Sequence, residues 1–403
     1  MSQVSMNSVY GFLGVARGGK QPCPAISAAV TAKGREYLQM AAEGAERESP
    51  LITGHPAHVR YGDTDSVMVD AFEHLGPLDT DEKRKEAVRL AFELGEELAE
   101  RLSKLYKPPN KLEFEKVYMP WLLWEKKRYA GQMFSADLGW EKPKKTDYKG
   151  IQIVRSDIIP YVKDAIGEVM QAIMKEMSVT NAQRVAIRRA EEVLFGSPPV
   201  EQFIMSKKLS SSYRVVCTWT DKLFSDGEEK STIMVSPSGA WRPLEGTDMA
   251  RRETSGGSSR NQGLTCETFP GKAWTVLDQS GRPVGVVKVS FPHVHVALRK
   301  EARCPGSGEI AGDRVPYVFA LRPPEEAPEG LQMETADDPA HLVEQKLPLD
   351  YHHYFEKCLR SPLESIFELF YKDPYAVLFK DLVRRYRNKR KRQLEISSFF
   401  QKS

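Results

Sequence analysis

Two runs of alternating character, His58-Val59-Arg60 and Val67-Met68-Val69, flank the hexapeptide Tyr61-Gly62-Asp63-Thr64-Asp65-Ser66. Alternation on both sides of a short polar stretch specifies strand, tight turn, strand. The fold has to be arranged around that hairpin. In extended backbone, residues i and i+2 project to the same side, so Asp63 and Asp65 are expected to offer their oxygens to one hard divalent cation, while Gly62 permits close approach of backbone or substrate. Metal chemistry on phosphate is the reading this invites. A solvated hairpin tip is the ordinary alternative, since Asp is a common turn former.

The chain has 403 residues, 41% of them hydrophobic, enough for a substantial core and two or three domains. No apolar run approaches the roughly 20 residues that cross a bilayer, and the N-terminus lacks the layout of a signal peptide. A cytosolic or nuclear location and no membrane partner are expected. Cys23, Cys217, Cys266, Cys304 and Cys358 lie far apart without a Cys-x-x-Cys pair. That argues against a zinc or iron–sulfur site and against a disulfide framework. Net charge is only +3, yet Arg384-Arg385-Tyr386-Arg387-Asn388-Lys389-Arg390-Lys391-Arg392 gathers basic charge near one end. A solvated tail, a nuclear import signal and a phosphate-binding segment all fit this run.

Along the chain, Asn7 and Tyr10 share one face of a helix end, and Pro22 to Glu48 reads as a long helix whose pattern changes after Pro50. Asp79 and Glu82 resemble a capping box for an amphipathic helix carrying Ala87, Leu90, Leu94, Leu98 and Leu102, which stops at Lys107-Pro108-Pro109. Strands are expected over Leu112 to Tyr118, Trp121 to Trp124 and Lys126 to Gly131. Alternation sets Lys127 and Tyr129 on one face of the last, Lys126 and Arg128 on the other. The expected class is α+β, with helices covering one side of an antiparallel sheet. Helices follow over Tyr161 to Met177 and Asn181 to Leu194. From Tyr213 to Phe291 the composition loosens, with a hairpin at Trp274 to Leu277 and Val284 to Val289 and a flexible loop at Ser255 to Ser259.

The hexapeptide resembles motif C of the family B, delta-like DNA polymerases, and Asn7-Ser8-Val9-Tyr10-Gly11-Phe12 resembles their motif B. The order of the two agrees with the family. Leu112-Glu113-Phe114-Glu115-Lys116, Lys126-Lys127-Arg128-Tyr129-Ala130-Gly131, Ser206-Lys207-Lys208-Leu209 and Gly312-Asp313-Arg314-Val315-Pro316-Tyr317 follow the same template. The resemblance implies a fingers end over 1–15, an antiparallel-sheet palm with covering helices over 16–156, and a mostly helical thumb over 157–375 carrying an insertion at 215–290. A basic tail occupies 376–403. Paired cysteine clusters, which end delta-type enzymes, have no counterpart here.

The resemblance also implies roles. Asp65, with Asp63 beside it, would bind Mg²⁺, two ions serving the complete enzyme in template-directed nucleotidyl transfer to a primer 3′ end during DNA replication. Asn7, Tyr10 and Gly11 would line the nascent base pair and bind the deoxynucleoside triphosphate. Lys127, Tyr129, Lys149, Lys207, Lys208 and Arg314 would contact primer–template DNA. Two departures matter. No segment matches the family's motif A aspartate, and Gln3 stands where the family has a triphosphate-pairing lysine, so activity is expected only with an upstream polymerase segment. Gln393, Ile396, Phe399 and Phe400 match the sliding-clamp-binding pattern, and a nuclear location, or the host nucleus for a viral protein, goes with it. The alternative is a non-catalytic DNA- and clamp-binding fragment.

Overall fold

The computed structural model describes residues 11–14, 23–135, 142–151, 158–220, 230–235, 241–243, 265–267, 274–278, 280–288, 291–304, 306–321 and 335–401. Its class is α+β, and it divides into two compact units at Val154 and Arg155.

In the first unit, α1 (Pro24–Thr53) carries Pro24 in its opening turn, where no N–H is needed, and ends on Gly54 in the left-handed region at φ 77°. It runs through Pro50 rather than stopping before it. At the last turn a proline forfeits little of the hydrogen-bond ladder, and Gly54 N–H closes on the Pro50 carbonyl at 3.0 Å. The following helix, α2 (Asp81–Ser103), is capped by Thr80, whose hydroxyl accepts from Lys83 N–H. The expected cap, Asp79, instead pairs with the Lys83 ammonium at 2.8 Å.

Two stripes of α2 are buried. Leu94, Leu98 and Leu102 pack with Ala45, Ala57 and Ala71, whereas Val88 and Phe92 meet Phe134 and Phe114. Each leucine contributes roughly 2 kcal/mol by burial. A Cβ on Gly44 would fall 2.6 Å from Leu102 Cδ2, so its bareness lets α1 and α2 approach. Strands β1 (His58–Asp63) and β2 (Ser66–Asp70) form the expected hairpin beside α1. A separate sheet has the order β3-β4-β5, with β3 (Val117–Glu125), β4 (Arg128–Phe134) and β5 (Lys145–Lys149). The strand expected from Leu112 starts only at Val117. Leu112 N–H donates to Ser103 Oγ at 3.0 Å and the Leu112 carbonyl accepts from that hydroxyl at 2.8 Å, which ties this backbone to the end of α2.

The second unit opens with antiparallel α3 (Pro160–Met174) and α4 (Val179–Phe195). Its core gathers Tyr161, Phe203, Tyr354, Phe355, Phe367 and Phe379, all under 2% exposed. Strand β6 (Met205–Lys208) pairs with β13 (Arg314–Phe319), which pairs with β14 (Ala336–Asp337). Between β6 and β13 lie α5 (Pro292–Arg303) and a six-stranded sheet of order β10-β11-β12-β7-β8-β9. These strands are β7 (Tyr213–Trp219), β8 (Lys230–Val235), β9 (Trp241–Pro243), β10 (Thr265–Glu267), β11 (Trp274–Leu277) and β12 (Pro283–Lys288). The loop read at Ser255 to Ser259 lies outside the described residues.

Short helices α6 (Pro339–Glu344), α7 (Tyr351–Tyr354), α8 (Arg360–Phe367) and α9 (Pro374–Leu378) lead to α10 (Lys380–Gln401). This last helix contains the basic run. Leu382 and Val383 are buried, Tyr386 stacks on His352, and Arg385 pairs with Glu191 at 2.8 Å, so its first turns are docked. Among the described residues, no helix is long and apolar enough to cross a membrane.

Candidate metal and nucleic-acid site

Asp63 ends β1 opposite Ser66, which leaves Thr64 and Asp65 as the two turn residues. Thr64 sits at φ 56°, a strained place for a β-branched side chain. Local hydrogen bonds hold it there. Thr64 Oγ1 donates to Asp63 Oδ1 at 2.9 Å, and Asp65 N–H donates to the Asp63 carbonyl at 2.6 Å. The tight turn expected between the strands is present, but Asp65 sits in it rather than in extended backbone, so the i, i+2 argument does not set its side. Asp63 lies on the half-buried side of β1 with Val59 and Tyr61, while Asp65 is exposed at the tip.

The neighbouring hairpin behaves in the same way. Glu125 pairs with Arg128, so Lys126 and Lys127 make its turn, with Lys127 at φ 63°. Strand alternation consequently does not place Lys127. Its backbone N–H donates to the Tyr61 hydroxyl at 2.9 Å, and its ammonium lies 3.3 Å from Asp63 Oδ1. The Thr64 hydroxyl first, then Lys127 and Tyr61, hold the Asp63 carboxyl below the usual carboxylate range, so it is ionised near neutral pH.

Behind this junction stands a group of rings. Tyr61, Trp121 and Tyr129 have mutual centroid distances of 6.0, 6.3 and 5.9 Å, and Tyr118 lies 6.1 Å from Tyr129. Tyr129 is paired across the sheet with Lys149. Burial, then the charge of Asp147, pushes the Tyr129 phenol up, so its O–H stays a donor. Gly150, at φ 65°, fixes where the β3–β4 turn can lie, because a Cβ there would stand 2.2 Å from the Lys127 carbonyl oxygen.

Sequence reasoning gave no role to Tyr118, Trp121, Asp147 or Gly150. The signals available were a lone acid within Lys145-Thr146-Asp147-Tyr148-Lys149 and a glycine directly after it.

Mg²⁺ is commonly held by one or two carboxylates together with substrate phosphates and water, which suits Asp63 and Asp65. Among the described residues no group of three or more His, Cys, Asp or Glu could hold a metal ion.

In the second unit, Lys207 and Lys208 end β6 opposite Val315 and Arg314. All three cationic residues are exposed, and Arg314 is anchored by Nη2 and Nε donating to the carbonyl and hydroxyl of Ser206 at 2.7 and 3.1 Å. Gly11 lies exposed in a short helical stretch. Asn7 and Tyr10 lie outside the described residues. Gln393, Ile396, Phe399 and Phe400 lie on the helical backbone of α10, their side chains outside the description.

Residues 2–217 and 267–370 match the model of DNA polymerase family B, and the chain belongs to that family. Within it, the DNA polymerase delta catalytic subunit of Candida albicans is 32% identical over 370 residues, 91% of this chain and 26% of that protein. The corresponding subunit of Caenorhabditis elegans is 32% identical over 371 residues, again 91% and 26%. A DNA polymerase of Paramecium bursaria Chlorella virus NY2A is 28% identical over 428 residues, 99% of this chain and 36% of the viral protein. The chain thus spans about a quarter of the length of the delta subunits it matches.

Proposed function

We propose that this chain is the primer-end-holding part of a DNA-directed DNA polymerase, which extends a primer 3′ hydroxyl against a template during DNA replication. The observation that carries the reading is the meeting at Lys127. Its ammonium reaches Asp63 and its N–H reaches Tyr61, so the two-carboxylate turn abuts the Lys127–Tyr129–Lys149 surface within one unit. Asp65 and Asp63 would hold Mg²⁺, two ions in the complete enzyme, which supplies activation of the attacking hydroxyl and neutralisation of the phosphates.

Tyr129 and Lys127 would orient the primer end through minor-groove acceptors, which look alike across base pairs and so suit any sequence. Lys149, Lys207, Lys208 and Arg314 would grip backbone phosphates. Asn7, Tyr10 and Gly11 would line the incoming nucleotide, and Gln393, Ile396, Phe399 and Phe400 would engage a sliding clamp, in the nucleus or a host nucleus.

The test is primer extension by the chain joined to an upstream polymerase segment that brings a further carboxylate. Asp65→Ala is expected to cost about a hundredfold to a thousandfold in rate while duplex affinity holds. Undiminished extension by that variant overturns the catalytic assignment. A second reading, a non-catalytic DNA- and clamp-binding module, draws on the pairing of Asp63 with Lys127, which neutralises one of the two carboxylates. It predicts duplex binding and no extension in the joined protein.

A further inference from the structure

Asp147 has no part in the function just described, yet it is 8% exposed and lies on the sheet face that carries Tyr129 and Lys149. A carboxylate set among tyrosine rings is unfavourable unless it is partnered. Among the described residues it has two partners. The Tyr118 hydroxyl donates to Oδ2 at 2.8 Å, and Lys149 Nζ lies 4.0 Å from the same oxygen. Tyr118 reaches Asp147 by crossing over Gly131, where a Cβ would come within 2.7 Å of the ring, and the Tyr118 and Tyr129 rings meet in an edge-type contact at 6.1 Å. One buried carboxylate therefore lies within ion-pair range of Lys149 and reaches Tyr129 through Tyr118.

Resting on the reading of Tyr129 and Lys149 as nucleic-acid contacts, we infer that Asp147 is their positioning residue. Its carboxylate fixes the Lys149 ammonium and, by way of Tyr118, the Tyr129 ring before the primer arrives. A pre-ordered pair loses less side-chain freedom on binding than two free side chains would.

The experiment titrates a labelled primer–template duplex of mixed sequence with the full chain, from about 50 to about 200 mM salt. Lys149→Met should weaken binding about fivefold and lower the log–log salt slope by about 0.9. Asp147→Asn keeps an acceptor for Tyr118 but removes the charge, and should weaken binding about threefold. Because both act through one contact, the double variant should bind within about twofold of Lys149→Met alone.

Additive losses, or unchanged affinity in Asp147→Asn beside weakened Lys149→Met, overturn the positioning role and leave Lys149 a DNA contact. Unchanged affinity in Lys149→Met, or a parent chain that binds no duplex, overturns both. Should Asp147→Asn not fold, Tyr118→Phe keeps the ring and removes only its bond to Asp147; this route ends at Tyr129, so its cycle is run with Tyr129→Phe, and additive losses, or unchanged affinity in Tyr118→Phe beside weakened Tyr129→Phe, overturn the positioning role.

Discussion

The two basic ribbons of this protein, one in each unit, are built on opposite plans. In the first, Lys127 is held through its backbone by Tyr61 and through its ammonium by Asp63, Tyr129 leans on three other rings, and Lys149 approaches a buried carboxylate. In the second, Lys207 and Lys208 stand exposed on β6, and Arg314 is anchored on Ser206 of the same ribbon. The difference would suit the two tasks proposed above. Chemistry at a primer end tolerates little misplacement, so side chains serving it would be fixed from several directions. A grip on backbone phosphates would need charge at the right height and little else.

Two glycines test that contrast most severely. Gly150 and Gly312 both have positive φ, 65° and 108°, but a Cβ on Gly150 meets the Lys127 carbonyl at 2.2 Å whereas Gly312 has nothing within 4 Å. Gly150→Ala should cost the first unit about 3 kcal/mol or more, from strain plus displacement of the turn. Gly312→Ala should cost about 1 kcal/mol, from strain alone. Urea unfolding followed by tryptophan fluorescence reads both. Equal costs would mean that the ribbons are equally tolerant and would break the comparison.

The next effect is set by pH and lies in the second unit. His293 is 5% exposed, and its Nε2 meets the Tyr213 hydroxyl at 3.0 Å. Burial first, then the nearby Lys207 charge, pushes its pKa down to about 4. Between that value and the ordinary value near 6.5, the unfolded chain binds the extra proton and the folded chain does not. Stability contributed by this residue is therefore complete above about pH 6.5 and falls by roughly 2 kcal/mol as pH drops towards about 4. His293→Gln should flatten that portion of the stability curve in the parent chain. An unaltered pH profile would mean that His293 is not held as a buried, neutral imidazole.

What the sequence made readable follows from how local each signal is. The hairpin from His58 to Asp70 and the helices near Tyr161 and Val179 announce themselves by alternation or by 3.6-residue spacing within a short window. The positions of Asp65 and Lys127 were not legible, because Thr64 and Lys127 occupy left-handed turn conformations usually marked by Gly or Asn. Hydrogen bonds within its own turn hold Thr64 there, and Tyr61 and Asp63 of the neighbouring hairpin hold Lys127. The Tyr118–Asp147 bond joins residues 29 apart through the absence of a side chain at Gly131, and no periodicity records that. Thr80 in place of Asp79 as the cap is a one-residue displacement of the ordinary kind.

The smallest expected effect concerns the second ribbon by itself and separates grip from geometry. Lys207→Ala with Lys208→Ala should lower the log–log salt slope of duplex binding by about 1.8, near 0.9 for each lost phosphate contact, and weaken affinity uniformly across sequences. Lys127→Asn, whose side chain tolerates the left-handed turn, should leave that slope nearly unchanged while slowing primer extension by the joined protein. Lys207 and Lys208 would act through released counterions, whereas Lys127, exposed as well, is paired with Asp63 in the free chain, so engagement with a primer would exchange one partner for another. A slope that falls equally in both variants would show Lys127 to be one more phosphate contact, and the two ribbons would then share a single task.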